Sequence, residues 1–301
     1  MARGDLNSLL SGPKPVLLDG AVGTELARRG VSTTLPLWSA HAVASDAGRE
    51  ILRAIHDDYA RAGAQILVTN TFRTTLRTLE RAGRAADWRA FNEHAVRSAR
   101  AAAGRVLGTC LVAGGIAPLE DCYSPHLVPA DSDCLAEHRR QVELLAELGV
   151  DLILIETMNT FREALAALVA ARDVGLDVLL SLCPAAPAHL LSGEPLEQAV
   201  PRLVAEAGPR LRGILINCAT PEVLGELFSR FARMAPEVPH GLYAHLGEPD
   251  EVSGWRLPVR HEPDRYAEWM VRRVEEGARL VGGCCGTTPD HIAALARSLA
   301  A

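Results

Sequence analysis

The chain has 301 residues, of which 48% are hydrophobic and 23% are charged, a composition typical of folded globular proteins rather than disordered ones. Its 37 acidic and 31 basic residues give a net charge of −6 and are dispersed, so no basic cluster indicates a nucleic-acid partner. No stretch approaches the roughly 20 apolar residues of a membrane span, and the first residues lack a signal-peptide pattern; we therefore expect a cytoplasmic protein without a membrane partner.

Eight short apolar runs alternate with longer amphipathic stretches. The runs cover residues 16–18, 65–68, 106–112, 152–155, 178–182, 213–216, 241–244 and 279–281. Strands that are buried on both faces need apolar residues at nearly every position, as in a parallel sheet covered by helices. Eight βα units in a chain of this length predict an α/β fold, a (β/α)8 barrel of TIM type, rather than an open doubly wound sheet. We expect a single domain over residues 1–301.

Helical periodicity separates the runs, and the longest irregular segments follow predicted strands or lie close to strand ends. The helical stretches cover residues 48–62, 133–148, 160–174, 221–233, 263–276 and 288–299, with Thr160, Thr220 and Thr288 placed to cap three of them. The irregular segments cover residues 32–41, 113–130, 183–195 and 246–263. Loops that follow barrel strands gather on one face, so we expect these four to wall a cavity at the C-terminal face.

Three of the seven cysteines follow predicted strands. Cys218 follows the sixth run, and Cys284 and Cys285 follow the eighth within the sequence GGCCG. Strands six and eight are next but one around a barrel, so three sulfurs can converge near its axis. Three thiolates suit zinc and leave the fourth position open, as in catalytic sites. Two other interpretations remain: a core cysteine beside a phosphate-binding glycine segment, or a pair of thiols that oxidises reversibly.

Two acidic residues stand where barrel enzymes place their active sites. Asp19 follows the first run, and Glu156 follows the fourth. A carboxylate at the carboxyl end of a strand can bind an ammonium group or act as a base, and it can equally cap the next helix.

Polar and aromatic residues follow other predicted strands. Thr69 and Asn70 can contact a polar substrate or begin the next helix. Trp38 and Phe72 can surround a cation or pack in the core. His245, after the seventh run, is a candidate fourth metal ligand or substrate contact, or a structural hydrogen-bonding histidine.

Five motifs in this order resemble the zinc-dependent homocysteine S-methyltransferase family, over nearly the whole chain. They are LLDGAVGTEL at residues 17–26, TNTF at 69–72, IET at 155–157, INC at 216–218 and GGCCGTTP at 282–289. The resemblance implies a (β/α)8 barrel in which Cys218, Cys284 and Cys285 hold Zn²⁺.

The resemblance also implies where homocysteine and the methyl donor bind. Asp19 and Glu156 would hold the amino-acid part of homocysteine, with Thr69 and Asn217 nearby. The sequence LWSA at residues 37–40 is most similar to the branch that uses S-methylmethionine. Residues 245–248 read HLGE where other members carry a sequence like NSGE, and Arg73 stands where betaine-using members carry an aromatic residue, which argues against betaine.

We therefore expect a homocysteine S-methyltransferase in which a zinc-bound homocysteine thiolate attacks the methyl group of a sulfonium donor to form methionine. The expected donor is S-methylmethionine or S-adenosylmethionine, and a homo-oligomer is possible. The alternatives are betaine or methylfolate as donor, another thiol as acceptor, or a thiol or zinc redox sensor without catalysis.

Overall fold

The computed structural model describes residues 5–185, 187–250, 254–256 and 262–300. In this part of the chain eight parallel strands form one sheet: β1 (Val16–Leu17), β2 (Ile66–Val68), β3 (Leu111–Ile116), β4 (Leu152–Met158), β5 (Asp177–Leu182), β6 (Leu211–Asn217), β7 (His240–Tyr243) and β8 (Leu280–Val281). Their order is β1-β8-β7-β6-β5-β4-β3-β2. A parallel bridge between Leu18 and Ile66 joins the two ends of the sheet. The sheet therefore closes into a barrel, which confirms the predicted (β/α)8 fold of TIM type.

Helices surround the barrel in the order expected of βα units. They are α1 (Leu6–Ser11), α2 (Val22–Arg28), α3 (Asp46–Arg61), α4 (Leu76–Arg81), α5 (Trp88–Ala103), α6 (Asp131–Glu147), α7 (Phe161–Asp173), α8 (Leu196–Ala207), α9 (Pro221–Ala232), α10 (Pro263–Glu275) and α11 (Pro289–Ala300). Thr160 and Thr220 cap α7 and α9 through their side chains, as predicted. The amide of Thr288 instead donates to Nδ1 of His291. None of the helices that the structure describes is long and apolar enough to cross a membrane.

Alternation along the strands separates two apolar layers. In β4, Leu152 and Leu154 pack inside the barrel, whereas Ile153 and Ile155 pack against the surrounding helices. Because successive side chains of a strand point to opposite faces, the next residue, Glu156, points to the inside. The strand therefore delivers a carboxylate to the upper end of the barrel interior.

Strand β3 differs from the prediction in its position along the chain. The apolar run predicts residues 106–112, but the strand covers Leu111–Ile116 and continues through two glycines. A Cβ at Gly114 would lie 3.1–3.2 Å from side chains of Leu145, Ile153 and Val150, and one at Gly115 would lie 3.3 Å from Oε1 of Glu156. Glycine weakens strands in general but is used where neighbours approach closely, and here it leaves room for Glu156.

Candidate active site

A cavity of about 560 Å³ opens where the barrel strands end. Leu18, Val68 and Leu154 line its apolar floor, while Trp38, Tyr123 and Trp255 line its upper part. These upper residues come from three of the four long segments predicted to wall a cavity. Among the described lining residues none comes from the fourth segment, residues 183–195, which forms a short hairpin from Pro184–Ala185 and His189–Leu190. Of the segment 246–263, residues 251–253 and 257–261 lie outside the described residues.

Cys218, Cys284 and Cys285 all line this cavity. The Sγ atoms of Cys218 and Cys284 are 2.9 Å apart. The contact with Cys284, opposed by a contact with Cys285 and reinforced by burial, raises the pKa of the Cys218 thiol well above its ordinary value. The folded chain thus brings Cys218 to the adjacent pair Cys284 and Cys285, which begins 66 residues later in the sequence.

Unusual backbone angles direct the sulfurs into the cavity. Cys218 has φ = 53° and Thr157 has φ = 61°, a region that residues other than glycine rarely adopt. Gly286, at φ = 87°, turns the chain immediately after Cys285. Backbone strain of this kind persists only where the surrounding structure holds it, and it clusters at functional sites.

A set of hydrogen bonds fixes the Cys284 segment against the loop after β1. The hydroxyl of Thr287 donates to the carbonyl of Cys284 at 2.8 Å and accepts the amide of Ala21 at 3.2 Å. The phenol of Tyr59 donates to the carbonyl of Ala21 at 2.9 Å. The amide of Gly286 donates to the hydroxyl of Thr24 at 2.9 Å. Two loops from opposite ends of the chain are therefore held as one unit.

The same hydrogen bonds argue against the phosphate-binding interpretation. The amides of Gly283, Cys284 and Thr287 donate to backbone carbonyls, and that of Gly286 donates to Thr24. A phosphate loop needs amide groups that are free to point at the anion. These four amides are already used to shape the cysteine segment.

Replacing Gly283 with alanine is expected to lower the free energy of unfolding by about 1–3 kcal/mol, the usual cost of overpacking. A Cβ at this position would lie 2.2 Å from Oγ1 of Thr287 and displace the hydroxyl that holds Cys284 and Ala21. Denaturant unfolding measures the change. Gly104→Ala is the control, because Gly104 has φ = −74° and a Cβ added there would lie no closer than 3.5 Å to a neighbouring atom. This substitution should change the free energy of unfolding by less than about 1 kcal/mol. Equal effects of the two substitutions would contradict the close packing of Gly283.

The donor set of the three cysteines fits a thiophilic metal such as zinc. Cys218 and Cys284 are buried and Cys285 is half-buried. Thiols that contact one another in such a site need a cation if they are to ionise together, and soft sulfur ligands select Zn²⁺. Among the described residues no group of three His, Cys, Asp or Glu side chains already stands in coordinating geometry. Sulfurs bound to one tetrahedral zinc are about 3.8 Å apart, since each Zn–S bond is about 2.3 Å. Cys218 and Cys284 would therefore separate from their 2.9 Å contact when a metal binds.

Asp19 and Glu156 line the same cavity without an ion-pair partner among the described residues. Oδ2 of Asp19 accepts the amide of Val68 at 2.9 Å. Burial raises the pKa of Glu156 to about 7. Burial, together with the charge of Glu156, also raises the pKa of Asp19 well above its usual range. Two carboxylates in this state favour a ligand that carries a positive charge.

Asn217 and His245, predicted to contact substrate, are not among the described lining residues. Asn217 is fully buried, accepts the hydroxyl of Ser181 at 2.7 Å and donates to the hydroxyl of Thr157 at 2.9 Å. The ring of His245 packs 4.9 Å from that of Trp255, and burial lowers its pKa to about 4. Both residues therefore support neighbours that line the cavity.

Thr157 is a cavity residue that the sequence analysis did not single out. Its Oγ1 lies 3.5 Å from Sγ of Cys218, and its amide donates to Oδ1 of Asn217 at 3.2 Å. The residue lies in the IET motif directly after Glu156, so its position in the motif was the available signal. Tyr123, Tyr243, Trp255 and Arg73 also line the cavity and were not predicted as substrate contacts.

The other predicted contact residues line the cavity but also hold its wall. Oγ1 of Thr69 accepts the amide of Gly115 at 3.1 Å, and Nδ2 of Asn70 donates to the carbonyl of Ser39 at 2.9 Å. The rings of Trp38 and Phe72 meet edge to face, with centroids 5.8 Å apart. Their aromatic surface lines the cavity and can face a cation there.

Comparison with known proteins adds a family to this geometry. A family model described as homocysteine S-methyltransferase matches residues 16–299. The homocysteine S-methyltransferase of Escherichia coli (strain K12) is 34% identical, and the match covers 96% of this chain and 97% of that protein. A selenocysteine methyltransferase of Astragalus bisulcatus is 25% identical over 93% of this chain and 90% of that protein.

Solved structures agree with the sequence matches. The metallated form of the homocysteine methyltransferase MmuM from Escherichia coli superposes with a TM-score of 0.83 at 31% identity, covering 97% of this chain and 99% of that chain. The oxidized form of the same protein superposes with a TM-score of 0.84 at 29% identity.

Proposed function

The chain belongs to the homocysteine S-methyltransferase family and is a methyltransferase, and from this premise we propose that it transfers a methyl group from S-methylmethionine to homocysteine. S-methylmethionine becomes methionine when it loses a methyl group, and homocysteine becomes methionine when it gains one. The observation that carries this proposal is the presence of three cysteines and two carboxylates without ion-pair partners in one cavity.

The two carboxylates would bind the acceptor's ammonium group. Asp19 and Glu156 have no ion-pair partner among the described residues, and buried carboxylates are costly to ionise alone. An ammonium group between them offsets that cost and holds both in the ionised form. Homocysteine bound this way keeps its thiol free to reach the three cysteines that line the same cavity.

Cys218, Cys284 and Cys285 would hold Zn²⁺, which supplies Lewis acidity that lets a bound thiol ionise at neutral pH. The protein's own contribution is to position the groups. Asp19 and Glu156 fix one end of homocysteine, so that its sulfur is directed toward the three cysteines of the same cavity. Such positioning turns a reaction of two molecules into an effectively unimolecular one.

The methyl transfer itself needs little proton chemistry from the protein. The acceptor sulfur, having lost its proton to solvent, forms a bond to the methyl carbon while the bond from that carbon to the donor sulfur breaks. The electron pair of the broken bond stays on the donor sulfur, which becomes a neutral thioether, so no general acid is required. The rings of Trp38 and Phe72 can stabilise the sulfonium before the reaction.

A redox role is the second candidate, because the 2.9 Å contact between the sulfurs of Cys218 and Cys284 suits disulfide formation. Mild peroxide treatment followed by mass spectrometry measures it. A reversible loss of two hydrogens in a protein that forms no methionine would favour the sensor over the enzyme.

The proposal is tested by measuring metal content and methionine formation together. We expect about one zinc per chain, as a three-cysteine site predicts, and turnover of homocysteine with S-methylmethionine. S-adenosylmethionine, betaine and a methylfolate are assayed in parallel as donors. Turnover with a different donor alone would overturn the donor assignment, and the absence of zinc under reducing conditions would overturn the metal site. A cytoplasmic location belongs to the same proposal, since free thiols persist in reducing compartments.

A further inference from the structure

Arg73 is the one basic residue among the described residues that line the cavity. Three carboxylates line it as well, from Asp19, Asp121 and Glu156. The predicted acceptor site contains two of these carboxylates and no cation. Arg73 is therefore the residue of this described lining that can supply a positive charge to an anionic group of a substrate.

The guanidinium of Arg73 is held in place but not neutralised. Its Nη1 donates to the backbone carbonyl of Glu120 at 3.0 Å, and its Cζ lies 5.3 Å from the centroid of the Phe72 ring. Its Nε is buried without a hydrogen-bond partner. No ion pair joins it to a carboxylate of the described residues: the side chain of Glu120 pairs with Arg77 and Arg81, and that of Asp121 accepts hydrogen bonds from Tyr123 and Ser124.

A fixed, partly buried guanidinium with an unused donor matches a carboxylate, which arginine binds through its planar set of N–H groups. The Phe72 ring already faces Arg73, whereas the ring of Trp38, which meets Phe72 edge to face, offers aromatic surface to a positive charge. The wall of the cavity near Arg73 thus offers one place for an anion and one for a cation. A zwitterionic sulfonium compound carries both charges.

We propose that Arg73 binds the carboxylate of the methyl donor and selects donors that carry a carboxylate besides the methylated onium centre. This inference rests on the proposed function, since it concerns the second substrate of the same reaction. The carboxylate of homocysteine is the competing partner, since Arg73 follows β2 in the same cavity, and the KM of homocysteine in the test distinguishes the two.

The test compares two donors that differ only in the carboxylate. S-methylmethionine and its methyl ester are assayed with the wild-type protein, Arg73→Gln and Arg73→Lys. For S-methylmethionine, Arg73→Gln is expected to lower kcat/KM about ten- to a hundredfold, the usual effect of losing a charge-assisted hydrogen bond. For the methyl ester, wild-type and variant should agree within about twofold. Arg73→Lys should restore part of the activity with S-methylmethionine, because it restores the charge without the fork of donors.

Arg202→Gln is the matched control. Its guanidinium also lies over an aromatic ring, with Cζ 4.3 Å from the centroid of Phe161, but it is not among the described lining residues. A second readout needs no turnover: S-methylmethionine should raise the melting temperature of the zinc-free wild-type protein and of Arg202→Gln, but not that of Arg73→Gln.

The outcomes separate the inference from the function on which it rests. If wild-type protein forms methionine and Arg73→Gln lowers kcat/KM equally for both donors, or raises the KM of homocysteine instead, Arg73 does not bind the donor carboxylate and the methyltransferase assignment stands. If wild-type protein forms methionine with none of the donors, the proposed function fails and the inference fails with it.

Discussion

Replacing Cys218 with alanine is expected to lower bound zinc from about one per chain to nearly none and to reduce methionine formation at least about a thousandfold. Cys218 is the thiol that comes from β6, and the remaining Cys284 and Cys285 are adjacent in the chain. Two neighbouring thiols make a weaker site than three convergent ones. The substitution also removes one of the two partners of the Thr157 hydroxyl, the sulfur 3.5 Å away, and leaves the amide of Asn217. Metal analysis and a methionine assay on the same preparation measure both effects.

Cys183→Ala is the control for losing a buried thiol near the same place. The Cys183 thiol contacts the carbonyl of Cys218 at 3.7 Å, yet Cys183 is not among the described residues that line the cavity. Its replacement should leave metal content and turnover unchanged. Full zinc content and full activity in Cys218→Ala would show that the cysteines serve another purpose, and melting temperatures of both variants establish that they are folded.

Glu156→Gln is expected to lower kcat/KM for homocysteine about a hundredfold or more, the usual cost of removing one partner of a desolvated charge pair. The substitution keeps the shape of the side chain beside Gly115 but removes the charge that would bind the ammonium group. The KM of homocysteine should rise while the KM of the methyl donor stays unchanged. Initial rates measured against each substrate separate the two constants.

The pH dependence of homocysteine binding follows from the same residue. Burial raises the pKa of Glu156 to about 7, so the free site is protonated below that pH and loses its attraction for ammonium. The KM of homocysteine should therefore rise as the pH falls through about 7, and this rise should be reduced in Glu156→Gln. An unchanged pH profile in the variant would assign the titration to another group.

Stability changes in the opposite direction with pH. The folded pKa of Glu156 is raised above its unfolded value, so its contribution to stability is fully present below the unfolded pKa of about 4.3 and is lost as the pH rises through about 7. Homocysteine should offset this loss because it binds the ionised form.

Glu163→Gln is the control for both measurements. Glu163 is a fully buried glutamate seven residues further along the chain. Its Oε1 lies 3.2 Å from Nε2 of His138, and it is not among the described residues that line the cavity. We expect it to leave the KM of homocysteine and its pH dependence unchanged, whatever its effect on the melting temperature. A rise in KM equal to that of Glu156→Gln would mean that the effect comes from general loosening of this part of the barrel.

Much of the architecture follows from local pattern, because strand and helix formation depend on neighbouring residues. Apolar runs locate the barrel strands except β3, and the positions of Thr160 and Thr220 before a helix predict their capping. The side-chain period of a strand further predicts that Glu156 points inward once Leu152 and Leu154 are known to do so. The rule that parallel strands end on one face brings residues from the five distant motifs to one place.

Only the tertiary structure decides the roles of residues that depend on contacts across the barrel. Gly114 and Gly115 fall in the predicted irregular segment 113–130, but they lie within β3, where close neighbours leave no room for a side chain. Asn217 ends its strand like a site residue, yet its amide is used by Ser181 and Thr157.

Arg73 shows the same limit most clearly. Its sequence neighbours do not indicate that the nearby carboxylate of Glu120 forms ion pairs with Arg77 and Arg81. The guanidinium of Arg73 therefore has no ion-pair partner among the described residues of the cavity. Such competition between side chains depends on distances between segments that are far apart in the chain. Periodicity, capping and motif spacing report only on residues that are close in sequence, so the sequence determined the barrel and the strand ends, and packing decided which of the side chains there remain free for a ligand.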